Sequence, residues 1–440
     1  MDSSRSAALL PLAAASLSGG LLALTEPRSV AGVLLTAIAA FEVLSLAALS
    51  LAMLRRRSPR AASGGTPNSA PAVSVVVAAW NERACIVDTV RRLLAQQGVA
   101  LEVLVADDGS TDGTADLVEE AFRAEPRLAV LRLPHGGKGA ALEAARKRAR
   151  HPLVATVDAD TDLEPGALAT LVRAVGGDVV AAGGAVLVKD ARGGLGRFQF
   201  LEYVRTTWVR SAWAELGMLE QLPGAFSVFD AAALERAGGF PVDSLTEDYE
   251  VGHRLYDEAA RSGRRIHIAF VPEARAWTAP PDDLRGFVRQ RTRWFAGFLS
   301  TWARFSHLVL SPRAGRFGLV RMPIKAIDAV APLLLASGLL AAFASGAEAA
   351  LALPLAVRAV TELALFVAAD RLARAERHRP RFALGRLGEL ALAGVDGATY
   401  ALFRGLVVLR AYPFALARVR TWERSRAALP EAASEPAPAE

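Results

Sequence analysis

One cysteine, Cys85, stands among 440 residues. That scarcity excludes a disulfide framework and a cysteine-based zinc site. Charged residues are also sparse, 22% against 52% hydrophobic. Such a balance excludes a disordered chain, whose low apolar content could not offset the entropy of ordering. A Walker A loop is missing as well. The glycine-rich run His135-Gly136-Gly137-Lys138-Gly139 has the wrong spacing for one, and no Ser or Thr follows its lysine. The formal charge of +6 fits nucleic acid, anionic lipid or an arginine-rich background equally well. Placement decides. The arginines gather beside apolar runs rather than along a soluble face, which argues against nucleic acid.

What is present in quantity is apolar sequence in long blocks. Residues 7–25 and 30–54 are almost wholly apolar, the second interrupted only by Glu42. Each is about the length that crosses ~30 Å of hydrocarbon as a helix. A cleaved signal peptide competes for the first block and is disfavoured by the second following so soon. Arg55, Arg56, Arg57 and Arg60 come directly after, which places that end in the cytoplasm by the positive-inside rule. Further spans are expected at 327–344, 349–369 and 387–409, with an arginine-rich cytoplasmic stretch at 371–386. The last block carries Glu389, Asp396 and Arg404 and precedes more arginines. Five full crossings would put that basic tail outside, so this block reads either as a re-entrant or interfacial element or as an exception to the rule. The expected organisation is two N-terminal spans (1–57), a linker (58–72), a soluble domain (73–306), a C-terminal membrane region (320–410) and a basic, then disordered, tail (411–440).

Within the soluble part, β-branched runs at 73–79, 101–106, 128–133 and 153–157 alternate with helical spacing at 86–97, 111–124 and 140–149. Strands alternating with helices imply an α/β domain with a mainly parallel sheet covered on both faces. Ligands of such sheets sit beyond the carboxyl ends of the strands. There the sequence places Trp80-Asn81-Glu82, then Asp107-Asp108-Gly109-Ser110, then Asp158-Ala159-Asp160. Residues two apart on an extended chain share a face, so Asp158 and Asp160 can converge. Close carboxylates repel unless a cation sits between them, and oxygen ligands suit Mg²⁺ or Mn²⁺. An isolated Asp-x-Asp is more often a solvated turn; three acidic clusters on one sheet edge reverse that balance. The amides of the glycine-rich run, with Lys138, are suited to a phosphate at a helix start. Cys85 reads as packing rather than as a nucleophile.

The ordered motifs VSVVVAAWNE, VLVADDGSTDGT, TVDADT, TEDYEVGHRL and QRTRW resemble the membrane-bound family 2 glycosyltransferases. Those nearest in kind are the processive synthases of cellulose, hyaluronan, chitin and poly-N-acetylglucosamine. The likeness runs over about 73–300, and the flanking spans suit it. It implies a GT-A (Rossmann-like) catalytic domain and inverting transfer from a nucleotide-sugar, usually a UDP-sugar. By the same resemblance Asp107 and Asp108 hold the nucleoside, Glu82 contacts the nucleotide, and Lys138 lies in the donor pocket. Asp158 and Asp160 match the metal-binding pair and Asp248 the general base, with Glu247 as its rival. Gln290, Arg293 and Trp294 match a motif beside the diphosphate and the acceptor end. At i, i+3 and i+4 they share one helical face, and the indole suits a sugar ring. Gly224-Ala225-Phe226 matches an acceptor loop, although the following Ser227-Val228-Phe229-Asp230 departs from the common pattern. Ala78-Ala79-Trp80 likewise stands where Pro-x-Tyr is commoner, implying altered packing around the base.

Residues 197–215 and 284–305 interleave aromatics with arginines, as expected of helices lying on a membrane; an amphipathic core helix is the alternative. The expected function is therefore a metal-dependent transferase in the inner membrane, multi-pass, with its catalytic domain in the cytoplasm. It would extend a polysaccharide from UDP-hexosamine or UDP-hexose, beside membrane lipids and export subunits. A non-processive enzyme with a lipid-linked acceptor and an inactive membrane scaffold are the alternatives.

Overall fold

The computed structural model describes residues 30–54, 71–346, 351–373 and 385–417, with a few positions between 11 and 18. Most of the first expected span, the arginines at 55–60, nearly all of the linker, most of the arginine-rich stretch and the end of the tail lie outside the described residues.

β1 (Ala72–Ala79) is buried along nearly its whole length. Its β-branched side chains fill both faces, which is what places it inside the sheet. It pairs in parallel with β2 (Ala100–Asp107) on one side and β4 (Leu153–Val157) on the other, and β3 (Leu128–Arg132) extends β2. Four more strands complete the sheet: β5 (Asp162–Leu163), β6 (Val179–Val188), β7 (Phe226–Asp230) and β8 (His267–Thr278). The order is β3-β2-β1-β4-β7-β6-β8-β5. The expected parallel half is therefore present, but the second half is mixed. β7 runs antiparallel to both β4 and β6, while β6 and β8 are parallel.

α2 (Ile86–Leu94), after the loop from β1 at Trp80–Cys85, buries Ile86, Val90 and Leu93 at helical spacing. It stops three residues short of the expected end, and the amide of Gln96 ties the chain to Glu164 and Leu168 instead. α3 (Thr114–Ala121), α4 (Lys138–Arg146), α5 (Ala167–Val172), α6 (Gly193–Glu215), α7 (Ala231–Arg236), α8 (Glu247–Ser262) and α9 (Leu284–Arg304) complete the sheet domain.

The apolar blocks form α1 (Val30–Leu54), α10 (Met322–Ala344), α11 (Ala352–Ala373), α12 (Gly385–Asp396), α13 (Tyr400–Val407) and α14 (Ala411–Leu416). A single π-helical turn, Phe317–Arg321, leads into α10. Among the described residues, three segments are long and apolar enough to span a membrane: Thr36–Leu54, Phe317–Ala344 and Ala352–Leu372. The block at 387–409 is broken after Asp396, with a 45° bend between α12 and the helices that follow. At the break, Asp396 turns inward to Arg205 of α6.

α6 is the seam between sheet and spans. It packs on β6 and β8 on one side and on α1, α11 and α12 on the other. The residues expected to face headgroups instead face protein. Trp208 is fully buried, and Arg205 meets Glu362 and Asp396. A guanidinium paired in charge with two carboxylates from the membrane helices has left the headgroup region, so α6 fits the core-helix alternative here.

Candidate active site

The carboxyl ends of β1, β2 and β4 lie side by side, and the loops leaving them are cross-tied. Asn81 adopts a left-handed backbone (φ 58°). Its amide donates to Ser110 Oγ, and its side-chain oxygen accepts from the Thr111 amide, both at 2.9 Å. The first and second acidic loops thus hold one another. Glu82 lies half-buried beside them. Burial lifts its carboxyl above the usual range, and the charge of Asp158 adds to that. Cys85 donates to Glu82 from Sγ at 3.2 Å; burial and that carboxylate push its thiol up to about 12, so it stays protonated and inert.

Asp108 behaves differently from the simplest expectation. Its carboxylate accepts from the amides of Gly136 and Gly137 at 2.8 and 2.9 Å. Those two amides are therefore occupied and do not form the phosphate cradle that the glycine-rich run suggested. The effect is to fix the loop that delivers Lys138. Asp107 is the open one. Its Oδ2 accepts from the Ser110 amide at 3.3 Å, while its buried Oδ1 has no partner among the described residues. Trp80, 44% exposed, stacks on His135 at 4.7 Å beside these loops.

Lys138, the first residue of α4, joins the donor side to the other half of the site. Its Nζ lies 2.6 Å from Asp158 Oδ1 and 2.9 Å from Glu247 Oε1. Burial opposes its charge, yet Asp158, Glu247 and Asp248 outweigh burial and keep it protonated. Asp160, two residues on, forms no ion pair among the described residues, although the charge of Lys138 reaches it. Burial first, then the charges of Asp158 and Glu82, raise it to about 6, and Thr278 Oγ1 lies 3.3 Å away. Asp158 and Asp160 offer only oxygen donors and strain against each other's charge. That donor set fits a hard divalent cation such as Mg²⁺ or Mn²⁺.

Glu247 and Asp248 open α8, where the helix dipole favours acidic groups. The two diverge. Burial opposes ionisation of Glu247, but Lys138 prevails and holds it below the usual carboxylate range. Burial, then the neighbouring Glu247, raise Asp248 to about 6. Asp248 is held by the Gly224 amide at 3.1 Å. A Cβ on Gly224 would come within 2.9 Å of that carboxylate, so only glycine lets the loop close on it. The Ala225 carbonyl also accepts from the Asp158 amide at 3.4 Å, linking the Gly224–Phe226 loop to the Asp-x-Asp turn.

α9 carries Gln290, Arg293 and Trp294 to the same place. Gly297 sits so close to Thr246 that a Cβ would lie 2.2 Å from its hydroxyl, which presses α9 onto the Thr246-Glu247-Asp248 turn. Arg293 donates to the Leu245 carbonyl at 3.1 Å, and its charge lowers both Glu247 and Asp248. Gln290 accepts from Arg291 at 3.0 Å. One face of Trp294 is covered by the Arg291 guanidinium at 4.3 Å, so only the opposite face is available to a ligand.

Ion pairs join Lys138 to Asp158 and Glu247, Asp248 adjoins Glu247, Arg293 closes on the turn before them and Asp108 fixes the loop before Lys138, while Gln290 and Trp294 share α9 with Arg293. Sequence reasoning passed over Arg291, the first x of Gln-x-x-Arg-Trp. Its side chain reaches Glu202 Oε2 at 2.6 Å and anchors α9 to the seam. It also passed over Glu202 and Glu220, whose partners lie about 90 to 200 positions away.

Residues 70–297 match the family described as glycosyltransferase like family 2. The chain belongs to that family. It is 27% identical over 228 residues to a poly-β-1,6-N-acetyl-D-glucosamine synthase of Staphylococcus aureus, covering 51% of this chain and 54% of that one. The corresponding synthase of Staphylococcus epidermidis is 26% identical over 230 residues, with the same shares. The chain spans about half the length of the curated relatives it matches. In fold it is similar to a mannosyltransferase from Pyrobaculum calidifontis, solved with GDP-Man and Mn²⁺. That likeness has a TM-score of 0.57 at 23% identity, over 84% of this chain and 99% of that one. The sheet is a GT-A-like sheet, flanked by long apolar helices, in keeping with membership of that family.

Proposed function

We propose that this glycosyltransferase extends a polysaccharide at the inner leaflet, using UDP-hexosamine or UDP-hexose with inversion. The observation that carries the reading is the meeting of Lys138, Asp158, Glu247, Asp248 and Arg293 from three distant stretches of chain. The likeness to poly-N-acetylglucosamine synthases supports the hexosamine donor. The arginines after residue 54 support a cytoplasmic catalytic domain.

In this reading Asp107, Glu82 and the loop held by Asp108 shape the pocket around the nucleoside. Lys138 and Arg293 receive the charge that grows on the departing diphosphate. Asp158 and Asp160 would hold a divalent ion, which when bound would neutralise more of that charge. Asp248 takes the proton of the acceptor hydroxyl as its oxygen attacks the anomeric carbon and the bond to the diphosphate breaks on the opposite side. Glu247, committed to Lys138, holds that lysine in place. Gln290 and the open face of Trp294 receive the acceptor sugar.

The test is the full chain in nanodiscs with Mn²⁺ and a panel of UDP- and GDP-sugars, with mass analysis of products. A ladder of added hexosamines from one UDP-sugar is expected. A single added sugar would replace polymer synthesis with glycolipid glycosylation. No transfer from any donor, and no nucleotide binding, would leave an inactive scaffold.

A further inference from the structure

Between Gln290 and Arg293 of α9 stands Arg291, 3% exposed. Its guanidinium touches both side chains that the proposed function gives to the acceptor. Nη1 donates to Gln290 Oε1 at 3.0 Å, and the group lies over the Trp294 ring, 4.3 Å from its centroid. Nη2 donates to Glu202 Oε2 of α6 at 2.6 Å. The Tyr400 hydroxyl of α13 completes the arrangement, accepting from Nη2 at 3.4 Å and donating to the same Glu202 oxygen. Arg404 meets the other oxygen of Glu202 at 2.7 Å.

These contacts decide what Gln290 can offer. A guanidinium only donates, so the atom that Gln290 turns to Arg291 must be its carbonyl oxygen. Nε2 is the atom left over, and it has no partner among the described residues. Gln290 therefore presents a donor, which suits the hydroxyl or amide oxygens of a sugar. The posture depends on Glu202. A buried cation keeps its place only while its counter-charge is present. Without that carboxylate, Arg291 is drawn toward another acid or toward water. The hydrogen bond to Gln290 and the cover over Trp294 go with it.

We propose that Glu202 is a positioning residue for the acceptor side of the site: through Arg291 it turns the Gln290 amide so that Nε2 donates, and it holds the indole of Trp294 in place. The inference rests on the transferase reading only in giving Gln290 and Trp294 to the acceptor. Glu202 sits on the seam helix α6, so its effect has to pass through Arg291.

The test uses the full chain labelled with 5-fluorotryptophan, in dodecyl maltoside micelles, read by fluorine NMR. The resonances of Trp294 and Trp80 are those missing from Trp294→Phe and Trp80→Phe. Glu202→Gln keeps the shape and removes the charge. It is expected to shift the Trp294 resonance while that of Trp80, on the donor side, stays in place. Arg291→Met should shift it too, and the double variant no more than Arg291→Met alone, because one effect runs through the other. A β-1,6-linked N-acetylglucosamine trimer, titrated without donor, should bind Glu202→Gln about tenfold more weakly, as a lost hydrogen bond predicts, with binding of UDP and Mn²⁺ unchanged. A Trp294 resonance unmoved by Glu202→Gln, an equal movement of the Trp80 resonance, or additive shifts in the double variant overturns the proposal. If Glu202→Gln does not fold, Arg291→Lys takes its place. An ammonium keeps the pair with Glu202 but has no flat face for the indole and no second arm for Gln290. The Trp294 resonance should shift there as well, and an unmoved one overturns the proposal. A wild-type chain whose Trp294 responds to Glu202→Gln but ignores the trimer would refute the acceptor assignment and leave the positioning standing.

Discussion

Two buried carboxylates, Glu220 and Asp248, show the contrast on which the molecule is built. Glu220, at the seam between sheet domain and spans, accepts two bonds from Arg321 at 2.8 Å and has Lys325 at 3.5 Å. Burial opposes its charge, but Arg321 and Lys325 bring it down to about 2. Asp248, at the sheet edge, is raised to about 6. The seam is closed electrostatically; its ions exist for one another. At the sheet edge Glu82, Asp158, Asp160, Glu247 and Asp248 share Lys138 and Arg293. That region is left short of positive charge, as the cation-binding site proposed above would be. Buried charge by itself therefore says little about function here. Its balance says more.

The sharpest way to break the comparison is Asp248→Asn. The Gly224 amide keeps an oxygen acceptor, so the loop should stay in place, while the proton acceptor is lost. Turnover should fall by about 10²–10⁴-fold with thermal stability unchanged. Normal turnover in steady-state kinetics would remove Asp248 from the reaction. The opposite pattern is expected of Glu220→Gln. It strands Arg321 and Lys325 and should cost about 3–5 kcal/mol of stability, read as a lowered unfolding midpoint in nanodiscs. Nucleotide binding to the protein that remains folded should be little changed. Equal stability would mean that the seam is not held by its ion pairs.

A smaller effect tests the deficit directly. Lys138 neutralises Asp158 at 2.6 Å. Lys138→Met should bind Mn²⁺ in the absence of nucleotide about tenfold more tightly, as one removed positive charge at short range predicts. Electron paramagnetic resonance of free Mn²⁺ measures this without any turnover. Weaker Mn²⁺ binding in the variant would show that Asp158 does not face the cation.

The contrast also explains what could be read from the chain alone. The strand ends carrying Glu82, Asp107 and Asp158 were legible because β-branched runs fix the strands and acidic residues follow them at once. Asp248 and Arg293 were legible only through their ordered motifs, since nothing in their local spacing brings α8 and α9 together; Gly297 against Thr246 does that. The reversed direction of β7 left no local signal either. The seam was almost wholly hidden. Arg205 read as a headgroup-facing charge, Asp396 as out of place in a span, and Glu362 gave no signal, because a pair is invisible until folding brings together partners about 160 and 190 residues apart. Asp108 was half legible: its place at the site was clear, but its bonds to Gly136 and Gly137 depend on the turn between β3 and α4.

The pH profile gives the finest test. A base must be ionised to accept a proton, and Asp248 is raised to about 6 by burial and Glu247. Its basic form is present above that value and is lost as pH falls through it, so kcat/KM should drop to about half near pH 6 and tenfold per unit below. Asp160 rises to about 6 as well, from burial and the charges of Asp158 and Glu82, and would give the same limb. The two separate under Mn²⁺. A divalent ion competes with the proton at Asp160, so saturating Mn²⁺ should move a limb due to Asp160 to lower pH. A limb due to Asp248 should stay near 6, because its neighbours are Glu247, Lys138 and Arg293 rather than the Asp-x-Asp pair. A limb that slides with Mn²⁺ concentration would make cation binding, and not the base, the step that acid abolishes.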